Sequence, residues 1–336
     1  MSEQTASNPA SKSVPVLGLV EEAIGADLLL AEQVLATELD STNPYVSDIL
    51  QHVTRFRGKR LRPMLLLLAA DASGGIRPAH HTLAAVVEMI HLATLVHDDV
   101  LDEASTRRHV ATINARWNNE TSVLFGDYLF THSFHLASSL DTTHACRAIG
   151  RATNIVCEGE LSQIKERGNL DLSEASYFRI IDGKTAELTA LCGYLGAHYA
   201  GAEQRVVTAM EQYGRQLGLA FQIADDVLDL VGNERKTGKS LGSDLQKQKL
   251  TLPLIRLLAT ASESDASAIR QLLLHPDDTT RHQLQPYLER SDAMKYAHQK
   301  ALQLAQDARQ QLDVLPASRS RRILAEIAEF AVQRTF

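Results

Sequence analysis

Two acidic stretches hold the side chains best suited to chemistry. The first is Leu95-Val96-His97-Asp98-Asp99-Val100-Leu101-Asp102, and the second is Phe221-Gln222-Ile223-Ala224-Asp225-Asp226-Val227-Leu228-Asp229. Each reads Asp-Asp-x-x-Asp inside an apolar run. The first and last Asp of each triplet are four residues apart, so on a helix they leave one face, one turn apart. Clustered carboxylates repel one another and are costly to desolvate. Such triplets among Leu, Val, Ile and Ala make sense opposite a strong cation. Mg²⁺ is the natural one, because it takes one or two carboxylates and completes its shell with water and substrate phosphates. A calcium loop of the EF-hand type would need Gly and Glu at its sixth and twelfth positions, and neither triplet supplies them. Zinc is a poor match where hard carboxylates dominate and His and Cys do not gather at ligand spacing. Two solvated acidic faces would be the plain alternative, and two copies with apolar flanks weigh against it.

The cationic counterpart is Arg55-Phe56-Arg57-Gly58-Lys59-Arg60-Leu61-Arg62-Pro63. Gly58 and Pro63 shape it as a turn into an apolar helix, rather than a solvated basic patch. Lys59 and Arg62 then converge where helix N–H groups also favour an anion. Arg suits bidentate phosphate binding and Lys supplies a point charge. Arg107-Arg108 follow the first triplet, and Lys184, Lys239 and Lys249 lie in other segments. Carboxylates with a surplus of cations suggest two polyanions, one held through metal and one held directly. His91, two turns before Asp98 on the same face, is read as a phosphate contact.

The elements that must position these groups are helices. Apolar residues at helical spacing mark 16–36, 46–56, 63–72, 80–102, 118–140, 143–164, 173–199 and 203–230. The 63–72 helix is apolar nearly all round and so should be buried. Beyond a Gly- and Lys-rich loop at 232–249, the remainder reads as helical with breaks at Pro276, Pro286 and Pro316. No β-alternation of useful length occurs, and neither a Rossmann fingerprint nor a P-loop is present. The expectation is a flexible tail over 1–15 and a single all-α domain over 16–336.

Composition narrows the field further. The chain has 336 residues, 44% apolar and 22% charged, ordinary for a soluble globular protein. A net charge of −7 argues against nucleic acid as the main partner. Cys146, Cys157 and Cys192 form no C-x-x-C pair and read as reduced thiols of a cytoplasmic protein. The apolar run Leu65 to Ala70 is too short to span a bilayer, so no transmembrane segment is expected.

Together, Gly58-Lys59-Arg60-x-Arg62-Pro63, Glu88-x-x-His91, the two Asp motifs, Lys184-Thr185 and Phe221-Gln222 resemble the trans-polyprenyl diphosphate synthases, and among them the bacterial octaprenyl group. The resemblance runs from about Val16 to Val332-Gln333-Arg334. It implies an isoprenoid synthase-type helical bundle around a central cavity, usually a homodimer. It implies condensation of isopentenyl diphosphate with an allylic diphosphate such as farnesyl, giving a long all-trans chain for a quinone side chain, with peripheral membrane contact at product release.

Site roles carry over by matching position. Asp98, Asp102, Asp225 and Asp229 are the implied Mg²⁺ ligands, with Asp99 and Asp226 inside the motifs. Asp98, Asp99, Asp102, Asp225 and Lys184 are the implied catalytic set. Lys59, Arg62, His91 and Arg108 match the isopentenyl diphosphate site. Arg107, Lys184, Thr185, Gln222, Lys239 and Lys249 match the allylic diphosphate site. The small residues Ala93 and Thr94 match positions that set product length. Three positions depart from the pattern: His109 and Gln248 stand where Gly is usual, and Leu250 where Pro is usual.

Other readings share some of these features. A cyclising or head-to-head terpene synthase has no use for a second diphosphate site at 55–62. A metal-dependent phosphohydrolase built on His97-Asp98 leaves the second triplet without a role. A non-catalytic regulatory subunit would have eroded Asp motifs, and these are intact.

Overall fold

The computed structural model describes residues 10–56, 58, 60–140, 142–232 and 241–333, with 10–15 as backbone only. Helices account for nearly all of it. In chain order the first ten are α1 (Ala10–Glu38), α2 (Pro44–Val53), α3 (Leu61–Ser73), α4 (Pro78–Leu101), α5 (Ile113–Arg116), α6 (Asn119–Ser138), α7 (His144–Lys165), α8 (Glu174–Ile181), α9 (Glu187–Ala200) and α10 (Gln204–Val231). A π-helical turn, Asp182–Ala186, joins α8 to α9. Further helices run to Gln333, the longest of them Ala293–Gln311.

Helix α3 is the axis of the fold. Leu65, Leu66, Leu67 and Leu68 are all at most 2% exposed, so this helix touches protein on every side. It packs on α4, α9 and the C-terminal helix Arg319–Gln333. Each Leu buried this deeply contributes on the order of 2 kcal/mol. A second core joins α8 and α10 to the helices after 252, and a third joins α2, α5 and α6 to the end of α4.

Several boundaries differ from the periodicity reading. Helix α1 begins at Ala10, within the stretch read as a tail. Asn43 caps α2, accepting from Tyr45 N–H, and Pro44 occupies the first turn, where no N–H is needed. Pro286 lies inside the helix Thr280–Arg290 instead of breaking it. The one described sheet is a two-stranded hairpin, β1 (Thr106–Arg107) and β2 (Val110–Ala111), with Arg107 opposite Val110. Its two turn residues, Arg108 and His109, have φ of 51° and 65°. Positive φ at both is the type I′ turn that matches strand twist and favours Asn-Gly.

Helix α4 is the one described helix long and apolar enough to cross a membrane, and 67% of its most apolar window is buried inside the protein. It is a core helix by packing, and its C-terminal turn brings the first Asp motif to the surface of a cleft.

Candidate active site

The three Asp residues of the first motif face different surroundings because successive helical positions differ by about 100°. Asp99 turns inward and is 1% exposed. Arg107 Nε and one terminal nitrogen each lie 2.8 Å from its Oδ1. Arg107, expected at the allylic diphosphate, therefore braces the hairpin onto α4. Burial raises the Asp99 carboxyl and Arg107 opposes that; its other oxygen, Oδ2, is buried with no hydrogen-bond partner.

Asp98 faces the cleft, with Lys184 Nζ 3.9 Å from its Oδ2. Lys184 also pairs with Glu160 at 2.5 Å and donates to Gln163 Oε1 at 2.8 Å. Glu160 and Gln163 belong to α7, which reaches this close because Gly159 has no side chain. A Cβ there would fall 2.5 Å from the Lys184 backbone nitrogen and 2.9 Å from Gly183 C. Burial opposes the charge on Lys184, but Asp98 and Glu160 outweigh it and raise its pKa. Burial raises the Asp98 carboxyl despite Lys184, since Glu160 and Asp102 add repulsion.

The next residue, Thr185, faces the second motif. Its hydroxyl donates to Gln222 Oε1 at 2.8 Å, and Gln222 Nε2 donates to Asp226 Oδ1 at 2.7 Å. Tyr177 OH donates to Asp226 Oδ2 at 2.6 Å. Lys184 and Thr185 thus bridge the two Asp motifs, which lie far apart in sequence. Asp226 is buried, and burial with repulsion from Asp244 holds its carboxyl well above the usual range. Asp225, half-buried, makes no hydrogen bond or ion pair with a described residue. Asp229, expected at metal, is held by the loop after α10. Its Oδ1 accepts from Gly242 N–H at 3.1 Å and from the Ser243 N–H and hydroxyl at 3.3 and 3.4 Å. Its Oδ2 accepts from Asp244 N–H at 3.1 Å, so both oxygens are engaged in fixing the loop after α10.

That loop closes the cleft over Asp102. Lys247 Nζ lies 2.8 Å from Asp102 Oδ2, and Lys249 Nζ and an Arg167 nitrogen each lie 3.4 Å from Oδ1. Burial works against ionising Asp102, but Lys249 and Lys247 outweigh it and its carboxyl sits below the usual range. Asp244, beneath the lysines, is pushed up to about 6 by burial, with Asp229 adding repulsion. Two lysines reach one carboxylate because Gln248 between them adopts φ 52°. Its carbonyl accepts from Gly168 N–H at 2.9 Å and its amide donates to Leu274 O at 3.0 Å. The cavity left between these groups has a volume of about 80 Å³ and is lined by Gln163, Tyr177, Lys184, Thr185, Asp226 and Lys249, among others.

Two turns earlier on α4 the charge reverses. Burial holds the His91 imidazole well below the usual histidine range, and Arg62, Arg108, Arg107 and Arg60 push it the same way. His91 therefore favours its neutral form, with four arginines near enough to oppose its protonation. Arg62 is half-buried, and its buried Nε has no hydrogen-bond partner. Arg108 donates to Phe56 O at 2.5 Å, and Arg60 donates to the buried Glu88 at 2.6 Å. Lys59 and Lys239 lie outside the described residues.

The expected chain-length pair divides. Thr94 is half-buried on the His91–Asp98 face, and its hydroxyl donates to His91 O at 2.8 Å. Ala93 is fully buried in the core between α2 and α6, with Val53, Phe125 and Leu129. One step along the helix turns it away from the cleft. Sequence reasoning overlooked Glu160, Gln163, Arg167, Asp244 and Lys247. Only Glu160 carried a signal, the glycine inside an otherwise regular helix beside it.

Among the described residues no three acids or histidines converge on one point. A hard cation such as Mg²⁺ takes only one or two carboxylates from the protein and completes its shell with water and substrate phosphates. Asp98 and Asp102 at the C-terminal end of α4 and Asp225 on α10 are the carboxylates that could hold such an ion, and burial is the main cause that raises the Asp98 carboxyl.

The comparisons agree with this geometry. The polyprenyl synthetase family pattern matches residues 43–290. The chain is 35% identical to the octaprenyl diphosphate synthase of Escherichia coli (strain K12), covering 94% of this chain and 98% of that one. It is also 35% identical to an all-trans-nonaprenyl-diphosphate synthase (geranyl-diphosphate specific) of Rhodobacter capsulatus, covering 93% and 96%. A polyprenyl synthase from Caulobacter crescentus CB15, solved with calcium and isoprenyl diphosphate, superposes with a TM-score of 0.90 at 33% identity over 95% of this chain and 98% of that one. With two Asp motifs bridged by Lys184 and Thr185 and an all-α fold shared across nearly its whole length, this chain belongs to the polyprenyl synthetase family of prenyltransferases.

Proposed function

We propose that the protein condenses isopentenyl diphosphate with an allylic diphosphate, farnesyl in the first instance, and repeats the step to a long all-trans polyprenyl diphosphate. The observation that carries this reading is the charge reversal along α4. His91 sits among arginines, and Asp98 and Asp102 sit among acids and lysines two turns further on. One helix thus serves two polyanions of different kinds.

Arg62, Arg108 and His91 hold the isopentenyl diphosphate directly, and Lys59 extends that site. Lys184, Lys249 and Thr185 hold the allylic diphosphate, with Arg107 keeping Asp99 and the hairpin in place. Asp98, Asp102 and Asp225 are the residues that would hold Mg²⁺. When bound there, such an ion would supply Lewis-acid stabilisation of a departing diphosphate. As the allylic C1–O bond breaks, Lys184 and Lys249 face the growing negative charge without reorganising. Apolar side chains about the cleft exclude water from the allylic cation. The isopentenyl double bond attacks C1, and the proton then lost passes to the released diphosphate.

Small Thr94 leaves room for a growing chain, and the likeness to octaprenyl diphosphate synthases supports an octaprenyl product serving as a quinone side chain. Exposed Leu124 on α6 and Leu161 on α7 support a homodimer, as the resemblance implies. The experiment is turnover of purified protein with isopentenyl and farnesyl diphosphates and Mg²⁺, followed by chromatography of the dephosphorylated products. A long linear polyprenol, lost on adding chelator, is expected. A cyclic hydrocarbon, or farnesol with no isopentenyl incorporation, would sink the reading.

A further inference from the structure

The segment that aims Lys184 and Thr185 is unusual in its winding. Glu187 N–H bonds to Asp182 O, an i→i+5 bond that defines the π-turn between α8 and α9. Turns of this kind are rare and tend to persist only where something holds them. Here the side chains of the same two residues are bridged by one guanidinium from α10. Arg215 donates to Asp182 Oδ1 at 2.7 Å and to Glu187 Oε2 at 2.6 Å.

Helix α10 follows the π-turn along one stripe. Arg215, Gly218, Gln222 and Asp226 are spaced by three or four residues and so share a face. Arg215 takes both ends of the turn. Gly218 lets Ala186 approach, since a Cβ there would lie 2.6 Å from Ala186 Cα. Gln222 accepts from Thr185. If the turn relaxed to ordinary α-helical winding, residues beyond the slip would rotate by about 100°, one residue's worth of helix. Lys184 and Thr185 could then no longer face Asp98 and Gln222 together. Arg215 itself reaches neither cleft: its partners are Asp182 and Glu187, with Glu211 at 4.0 Å.

We propose that Arg215 is a positioning residue, a brace that fixes the π-turn and thereby the aim of Lys184 and Thr185 at the allylic diphosphate. The idea rests on the proposed function for its kinetic consequence, and on geometry alone for its structural one. The two are separated by the test.

Arg215→Met and Glu187→Gln are made in the full chain; the second keeps its side-chain shape and so guards against a misfolded first. In Arg215→Met the KM for the allylic diphosphate should rise about tenfold, which is about 1.4 kcal/mol. The KM for isopentenyl diphosphate should stay within about twofold, a smaller change than the loss of one ordinary hydrogen bond would bring. Glu187→Gln should show a smaller shift in the same sense. Hydrogen exchange should quicken at the amides of 182–189 while those of α3 keep their protection. Unchanged exchange at 182–189, or equal rises in both KM values, would reduce Arg215 to an ordinary stabilising ion pair. If the wild-type chain does not turn over these diphosphates, the proposed function fails, and the exchange result alone then decides for or against the brace.

Discussion

Gly58→Ala tests the proposed isopentenyl diphosphate site without replacing a charged residue. Gly58 has no positive φ, so its backbone suits alanine. The added Cβ would meet the Arg108 guanidinium, 2.5 Å from one terminal nitrogen, 2.9 Å from the other and 3.0 Å from Cζ. Ordinary contact needs about 3.5 Å, so the guanidinium must withdraw by roughly 1 Å. It is the far end of a flexible side chain, so it moves and the backbone stays. Withdrawal breaks the 2.5 Å bond to Phe56 O. Arg108 is exposed as a residue, so water takes over much of that bond and the stability cost should be only about 1 kcal/mol. On the proposed function binding suffers more, because a displaced guanidinium would lose a charge-assisted bond worth about 1.5–3 kcal/mol to the diphosphate. The KM for isopentenyl diphosphate should therefore rise between about tenfold and a hundredfold, with the allylic KM little changed. Steady-state titration of each substrate reads the split, and thermal unfolding confirms the fold. Arg108→Met should give a similar rise, and the double variant should show no further loss. A folded Gly58→Ala with an unchanged isopentenyl KM would remove Arg108 from that site.

Three further outcomes follow from the same geometry. Thr94→Phe should shorten the product while Ala93→Tyr should instead lower the melting temperature, because only Thr94 shares the cleft face and Ala93 sits in packed core; equal shortening by both would refute the distinction. His109→Gly should stabilise by roughly 0.5–1 kcal/mol, since relief of left-handed strain exceeds the added freedom of the unfolded glycine; a lower melting temperature would count against it. Burial lowers the pKa of His80, whose Nδ1 accepts from Arg77 N–H while Nε2 donates to Gly196 O. The fold keeps this ring neutral while the unfolded chain takes up a proton below about pH 6.5, so stability should fall as pH drops through that value. The slope of melting temperature against pH should be shallower in His80→Asn, and an unchanged slope would refute the assignment.

Much of this was legible in the chain itself. Long helices betray themselves by period, and Asp-Asp-x-x-Asp announces its face. The buried character of α3 was plain from its unbroken apolar residues. What periodicity cannot express is a turn one residue too wide, so Asp182–Ala186 passed as continuous helix. Nor can it distinguish Ala93 from Thr94, whose fates depend on which neighbour α4 meets. Asp229 looked equivalent to Asp102 until the loop at 242–244 claimed its oxygens. Lys247 and Arg167 lacked any local mark, because their importance comes from a carboxylate distant in sequence. His109 and Gln248 were visible as departures from a glycine pattern, and the structure gives the physical content: both sit at positive φ.

The acids of the cleft carry their own counter-ions. Asp102 faces Lys247, Lys249 and Arg167, and Lys184 lies between Glu160 and Asp98. For Asp98 and Asp102 the arrangement works as an ion-exchange resin does, with fixed charges that trade partners. On the proposed function, an arriving diphosphate would take the lysines and its accompanying cation the carboxylates they release. Folding is then uncoupled from metal supply, unlike a zinc finger, whose fold is its metal site. On that same reading, scarcity of divalent ions would idle the protein without unfolding it.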